Sequence, residues 1–255
     1  MSFKDRIVYV TGSSSGIGRS CVRAFAARGA RILASARRLD RLEALASELR
    51  KSAGIDIHVF ALDVRDREAV DAAVAVLPSE WKNIDILVNN AGLSRGLSPI
   101  HEGSIRDWEE MIDTNVKGLL YVSRAVIRGM VERGRGHVVN IGSIAGHEVY
   151  PGGNVYCASK FAVNALGRAL RLDLSGTGIR VSSVDPGMVE TEFSLVRFHG
   201  DGERAKKVYQ GLTPLSPDDI ADAVVWCADR PPHVNISQMI VMPTDQASAG
   251  LAHRR

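Results

Sequence analysis

Three residues able to move or hold protons stand close together in the stretch SIAGHEVYPGGNVYCASK: Ser143, Tyr156 and Lys160. Tyr156 and Lys160 are one helical turn apart at the start of a run with helical spacing, so they share a helix face. A free tyrosine has a pKa of about 10, too high for efficient proton transfer near neutrality. An ammonium beside it favours the phenolate and lowers that pKa. A serine hydroxyl at the same place can hydrogen-bond a carbonyl or alkoxide oxygen as charge develops. Together the three suit acid–base interconversion of a carbonyl and an alcohol. Taken alone, Tyr-x-x-x-Lys reads more readily as a solvated surface pair. The serine at a strand end and a glycine-rich turn upstream change that reading.

The upstream turn is Thr11-Gly-Ser-Ser-Ser-Gly-Ile-Gly18, which closes a β-branched run and opens a helical one. Its glycines permit a tight turn and close backbone approach. The helix start presents unpaired N–H groups and a positive dipole end to a phosphate. Gly12, Ser14, Ser15, Gly16, Ile17 and Gly18 are therefore candidate dinucleotide contacts. Without a ligand the same stretch is a plain strand-to-helix loop. The second strand ends in Ala34-Ser-Ala-Arg-Arg38. A carboxylate there would bind a ribose 2′-hydroxyl and repel a 2′-phosphate. Arginine suits a phosphate by charge and by forked geometry. Arg37 and Arg38, helped by Ser14, thus favour NADP(H) over NAD(H). The other reading is a solvated start to the next helix. Leu62-Asp-Val64 and Asn89-Asn-Ala-Gly92 end two further strands, where ligands collect in open α/β sheets. Asp63 and Val64 are expected near an adenine. Asn89, Ala91 and Gly92 are expected along the cofactor.

These residues need a scaffold, and the pattern supplies one. Apolar runs at 7–10, 31–34, 57–62, 84–88, 137–141, 180–184 and 236–241 alternate with helical spacing at 15–28, 39–49, 67–77, 105–133, 156–174 and 217–227. The long helical stretch carries a candidate break at 114–118. IVYV, DILV and HVVNI are apolar without alternation, as expected of strands covered on both faces. The expected fold is α/β: a Rossmann-type, doubly wound, seven-stranded parallel sheet with helices on both faces. Residues 1–255 read as one domain with an insertion near 188–215. Within it, 193–217 yields no assignment, and long insertions in compact domains are usually functional or mobile.

Composition narrows the partners. The chain has 255 residues, enough for a sizeable core, and a formal net charge of only +3. That balance gives no reason to expect nucleic acid or a membrane surface. No apolar run approaches a membrane span, and no leader segment is expected. Cys21, Cys157 and Cys227 are few, odd in number and far apart, which points to a reducing compartment. Seven histidines show no ligand spacing, so no metal is expected. The terminal LAHRR reads as a flexible tail or an interface arm.

TGSSSGIG, NNAG, DTNVKG, NIGSIAG, YCASK and DPGMVET, in this order and over nearly the whole chain, resemble the short-chain dehydrogenase/reductase family. The resemblance implies that Tyr156 is the general acid/base and that Lys160 holds the nicotinamide ribose and lowers the tyrosine pKa. It implies that Ser143 positions the substrate oxygen and that Asn115 helps hold a water linking Lys160 to solvent. Pro186, Gly187, Val189 and Thr191 match the segment that lines the nicotinamide. TEFSLVRFHGDGERAKKVYQG, PPHVNI and VMPTDQ are similar to the NADP-dependent 3-hydroxy acid dehydrogenases of this family. That implies a small substrate of the L-serine, L-allo-threonine or 3-hydroxypropionate type, a cytoplasmic location and a homotetramer. A carboxylate on the substrate needs a cation, for which Arg197 and Arg95 are candidates, Arg197 preferred. Two other readings stand beside it. One is reduction of another small aldehyde or ketone, such as a sulfonated aldehyde. The other is a non-catalytic NADP-binding sensor or scaffold.

Overall fold

Apolar runs without alternation become strands buried on both faces. In the computed structural model, which describes residues 2–255, these are β1 (Ile7–Thr11), β2 (Arg31–Ala36), β3 (Ile57–Ala61), β4 (Ile84–Asn89), β5 (Gly136–Ile141), β6 (Ile179–Pro186) and β7 (Gln238–Val241). They form one sheet in the order β3-β2-β1-β4-β5-β6-β7, every neighbouring pair parallel. The helices are α1 (Gly16–Ala26), α2 (Leu39–Ala53), α3 (Arg67–Ala75), α4 (Ile105–Ile112), α5 (Leu119–Arg133), α6 (Asn154–Asp173), α7 (Phe193–Arg197), α8 (Gly202–Lys207) and α9 (Pro217–Ala228).

The two-residue period of a strand divides the core. On β1, Val8 and Val10 face one layer, with Phe25 of α1, Leu42 of α2 and Ile220 of α9. Ile7 and Tyr9 face the other, with Val70 of α3 and Val126 of α5. Helices on both faces follow from strands apolar on both faces. The chain leaves β1 toward β2, then returns to β4 on its other side. This reversal opens a crevice beyond the carboxyl ends of β1 and β4.

The stretch at 105–133 is divided as its break suggested. Between α4 and α5 lies a π-helical turn, Asp113–Gly118. A Cβ on Gly118 would lie 2.6 Å from Cγ2 of Val64, so glycine lets this turn approach the end of β3. Wide turns of this kind recur at functional sites. The unassigned 193–217 holds α7 and α8, five and six residues long. Two helices this short give too few repeats for a 3.6-residue pattern to stand out. Between them His199 and Gly200 take positive φ values of 53° and 94°. α9 starts with the box its Ser-Pro-Asp sequence announces: Ser216 and Asp219 bind each other's backbone N–H. The terminal LAHRR folds back on the molecule. Arg255 N–H donates to the Gly211 carbonyl at 2.8 Å, and His253 N–H to Asp245 at 2.7 Å.

Candidate active site

A cleft of about 420 Å³ runs along the carboxyl ends of the strands, a size typical of small-molecule sites. Its first wall is the β1–α1 turn. Gly12 has φ +65°, and a Cβ there would lie 2.8 Å from Cα of Ala91. Glycine is thus required twice, for the turn and for the passage of the 90–92 chain. Gly16, φ +51°, faces Thr191 across the cleft. Ser15 caps α1 without a side-chain hydrogen bond, and the first turn carries no acid. The α1 start therefore keeps its N–H groups and positive end for an anion.

Most of the expected cofactor residues line this cleft. Gly12, Ser14, Ser15, Gly16 and Ile17 come from the turn, Arg37 and Arg38 from beyond β2, and Asp63 and Val64 from beyond β3. Ala91 and Gly92 follow β4. Pro186 ends β6, and Gly187, Val189 and Thr191 follow it. Two expected residues stand elsewhere. Gly18 packs inside the turn, where a Cβ would lie 2.7 Å from the Gly12 carbonyl oxygen. Asn89 is buried, its Nδ2 donating to Ser123 Oγ at 2.9 Å and Asn140 Oδ1 at 3.0 Å. It ties β4 to β5 and α5. Asn90 lines the cleft in its place, donating to the Thr11 carbonyl at 2.9 Å.

At the phosphate end, the two arginines diverge. Arg38 donates to Ser14 Oγ (3.1 Å), Ser15 Oγ (2.9 Å) and Glu192 Oε2 (2.9 Å). Arg37 leans away to Glu110, at 3.8 Å. The guanidinium, two hydroxyls and a helix start form a donor set suited to a phosphomonoester. Asp63 is held by Arg65, with contacts down to 2.6 Å. Burial works to raise its pKa, but the Arg65 bonds outweigh it and hold the carboxyl below its usual range.

At the other end, β5 and α6 bring Ser143, Tyr156 and Lys160 onto one wall. Ser143 Oγ accepts from Ala145 N–H at 3.1 Å and donates to the Pro186 carbonyl at 3.5 Å, and its hydroxyl acts to lower the Tyr156 pKa. Lys160 Nζ donates to the Ile141 carbonyl at 2.9 Å. Burial lowers the Lys160 pKa to about 8, against the pull of the Asp185 carboxylate. Tyr156 departs from expectation. Its phenol is raised above 10, because burial outweighs the lowering effects of the Ser143 hydroxyl and the Arg197 charge. The Lys160 ammonium is turned to the Ile141 carbonyl. Asn115 is buried behind this wall. It lies outside the lining, its Oδ1 accepting from Leu93 N–H and its Nδ2 donating to the Leu93 carbonyl, both at 2.8 Å. Its Oδ1 and Lys160 Nζ nevertheless face the same point, 3.3 and 3.7 Å from where a Cβ on Gly92 would stand.

Arg197 adjoins this wall without lining it. Its guanidinium lies 5.2 Å from the Tyr156 ring centre and donates to Ser94 Oγ (3.0 Å) and Tyr150 Oη (2.8 Å). Among the described residues it has no carboxylate within salt-bridge distance. Arg95 does: it is paired with Glu110 at 2.7 Å and serves the framework. Sequence reasoning passed over Glu192, Tyr150 and Asp185. Asp185 is 1% exposed and bound by Ser183, His147 (2.7 Å) and Gln238 (2.7 Å). A side chain on Gly142 would strike its carboxylate. The aspartate in DPG was its one sequence signal; the others had none, since their partners lie far away in the chain. Among the described residues no cluster of three His, Cys, Asp or Glu is placed to hold a metal.

Comparison with known proteins agrees with this geometry. The NADP-dependent 3-hydroxy acid dehydrogenase YdfG of Salmonella typhi is 51% identical over 98% of this chain and 99% of its own. Serine 3-dehydrogenase of Agrobacterium fabrum is 42% identical over 95% and 96%. A solved structure of the closed form of serine dehydrogenase complexed with NADP+ superposes with a TM-score of 0.91, at 49% identity, over 98% of this chain and 99% of that one. The family described as short chain dehydrogenase matches residues 6–200. With the parallel sheet, the glycine turn and the Ser143–Tyr156–Lys160 wall in place, the chain belongs to the short-chain dehydrogenase/reductase family.

Proposed function

We propose that this protein is an NADP-dependent oxidoreductase that interconverts a small 3-hydroxy acid, of the L-serine, L-allo-threonine or 3-hydroxypropionate type, and its 3-oxo acid. The observation that carries the reading is Arg197, a guanidinium with only neutral hydrogen-bond partners beside the tyrosine of an acid–base wall. A cation held this way is available to a substrate carboxylate. The names of relatives 51% and 42% identical over nearly their full length support the same substrate class, and the first also names NADP.

The nicotinamide, when bound, accepts or supplies a hydride at its C4. The chain's own residues do the rest. Ser14, Ser15 and Arg38 hold the 2′-phosphate, and the α1 start takes the pyrophosphate. Arg197 anchors the substrate carboxylate and so sets which carbon faces the nicotinamide. Ser143 Oγ holds the substrate oxygen. Tyr156 Oη gives that oxygen a proton in reduction and takes it back in oxidation. A phenol held above its ordinary pKa is protonated at neutral pH, ready to act as an acid. Lys160, with a pKa near 8, sits at the pH where an amine exchanges protons readily. Asn115 fastens the 93 chain to the π-helical turn and faces Lys160 across Gly92, where a water linking Lys160 to solvent would stand.

The whole chain, 1–255, works as one catalytic domain, and the 188–215 insertion supplies its substrate-facing wall through Phe193 and Val196. We assign it to the cytoplasm as a homotetramer. Three free, buried cysteines accord with a reducing compartment. Exposed Leu120 and Val131 on α5, and Phe161 and Leu172 on α6, accord with pairing through those helices. No helix among the described residues is long and apolar enough to cross a membrane.

The test is reduction of NADP+ against L-serine, L-allo-threonine, 3-hydroxypropionate and simple secondary alcohols, with NAD+ in parallel. Turnover of the acids with NADP+ alone is expected. Silence on every acid, with NADPH-dependent reduction of another carbonyl, would remove the substrate assignment. Sedimentation velocity at micromolar concentration checks the tetramer.

A further inference from the structure

Glu192 is out of place by charge. The β1–α1 turn, the α1 start and Arg38 build a site for an anion, and no acid lies in the first turn of α1. Yet a carboxylate reaches into that site from the far side of the cleft. Glu192 Oε2 accepts from Arg38 Nη1 at 2.9 Å, and its Oε1 accepts from Arg41 Nη1 at 2.6 Å. The residue stands just before α7 and makes no capping bond to it through its side chain. Its carboxylate therefore serves the two arginines and not its own helix. Four of the five Arg38 N–H groups are engaged by this arrangement, Nη1 by Glu192 and the others by Ser14 and Ser15, so a phosphate gains the whole Nη1 edge only when Glu192 yields it.

We infer that Glu192 is an internal competitor of the cofactor's 2′-phosphate, holding Arg38 and Arg41 until that phosphate displaces it. The inference rests on the NADP reading above. A carboxylate brings one negative charge and two oxygens; a phosphomonoester brings close to two charges and three oxygens. The phosphate is the stronger partner for the paired guanidinium groups. A ribose 2′-hydroxyl has no charge with which to displace Glu192. Glu192 is thereby a specificity-determining residue. It weakens NADP(H) binding by the strength of its own two ion pairs and leaves nucleotides without a 2′-phosphate unaffected.

The sign of the effect makes the inference easy to refute. Wild type, Glu192→Gln and Glu192→Ala are titrated by calorimetry with 2′,5′-ADP and with 5′-ADP, neither of which carries a nicotinamide. Glu192 is 39% exposed at its side chain, so both variants should fold. Each partly exposed ion pair removed is worth a small factor, and two together predict 2′,5′-ADP binding roughly 3- to 10-fold tighter. Affinity for 5′-ADP should stay unchanged. Unchanged or weaker binding of 2′,5′-ADP would overturn the inference and make Glu192 a residue that organises the arginines. Equal tightening of both nucleotides would overturn it too, pointing to general relief of negative charge. If wild type itself does not prefer 2′,5′-ADP to 5′-ADP, the NADP reading fails first, and the competitor role with it.

Discussion

Replacing Arg197 by glutamine tests the substrate assignment most directly. The guanidinium stands 5.2 Å from the Tyr156 ring centre, with Ser94 and Tyr150 as its hydrogen-bond partners. Glutamine keeps polarity and some reach but removes the charge. Hydrogen bonds to charged groups contribute about 1.5–3 kcal/mol, so an acid substrate should lose roughly 10- to 150-fold in kcat/KM. The loss should appear mainly in KM, because the carboxylate is bound in ground and transition states alike. A second effect follows from the same geometry. The Arg197 charge lowers the Tyr156 pKa against its burial, so its removal moves that pKa further up. Oxidation needs the phenolate, and its alkaline-rising limb should shift to higher pH in the variant. The assay is steady-state NADP+ reduction from pH 7 to 10.5, with L-serine and a neutral secondary alcohol side by side. The pKa effect is common to both substrates, so the acid-to-alcohol ratio of kcat/KM should fall by the anchor's factor at every pH. Equal losses on acid and alcohol would refute the anchor and leave Arg197 as a structural contact of Tyr150.

Three further outcomes are expected. Tyr156→Phe should lower kcat by about 10²- to 10⁴-fold while NADPH binding, read by fluorescence, stays near wild type; retained turnover would remove the acid–base role. Arg38→Glu should reverse the preference for NADP+ over NAD+ in kcat/KM, since it places a carboxylate beside Ser14 where a 2′-phosphate would lie. Lys160→Met should inactivate the enzyme yet stabilise the fold. The Lys160 pKa is depressed from 10.5 to about 8 by burial, so below pH 8 the folded state bears the full penalty of a buried charge. Between pH 8 and 10.5 the folded protein sheds this proton before the unfolded chain does, and wild-type stability rises with pH. The variant's advantage should therefore reach about 2–3 kcal/mol at pH 6.5 and shrink by pH 9.5, measured by denaturant unfolding. A gain independent of pH would sink this account.

The strands, the first helices and the order of the motifs were legible in the sequence because each depends on neighbours within a turn or two. Non-alternating runs such as IVYV mean burial on both faces, and β1 does divide Val8 and Val10 from Ile7 and Tyr9 between two layers. The glycine turn was legible because positive φ at Gly12 and Gly16 demands that residue type. The NNAG motif marked the right place but not which asparagine lines the cleft. Alternation along β4 sends Asn89 into the core between Ser123 and Asn140 and leaves Asn90 at the cleft, which residue types alone do not distinguish. α7 and α8 escaped notice because five or six residues carry no measurable period.

The tertiary structure alone decided which charges meet. Arg38 and Glu192 are 154 positions apart, Arg197 and Ser94 are 103 apart, and Gln238 and Asp185 are 53 apart. The Tyr156 environment is of the same kind: spacing showed that Lys160 shares its helix face, but burial and Arg197 set its pKa. Local sterics and periodicity act through the backbone of a short segment and are written in the order of residues. Desolvation and Coulomb interaction depend on distance in space, and that distance exists only once the parallel sheet has gathered its strand ends around one cleft.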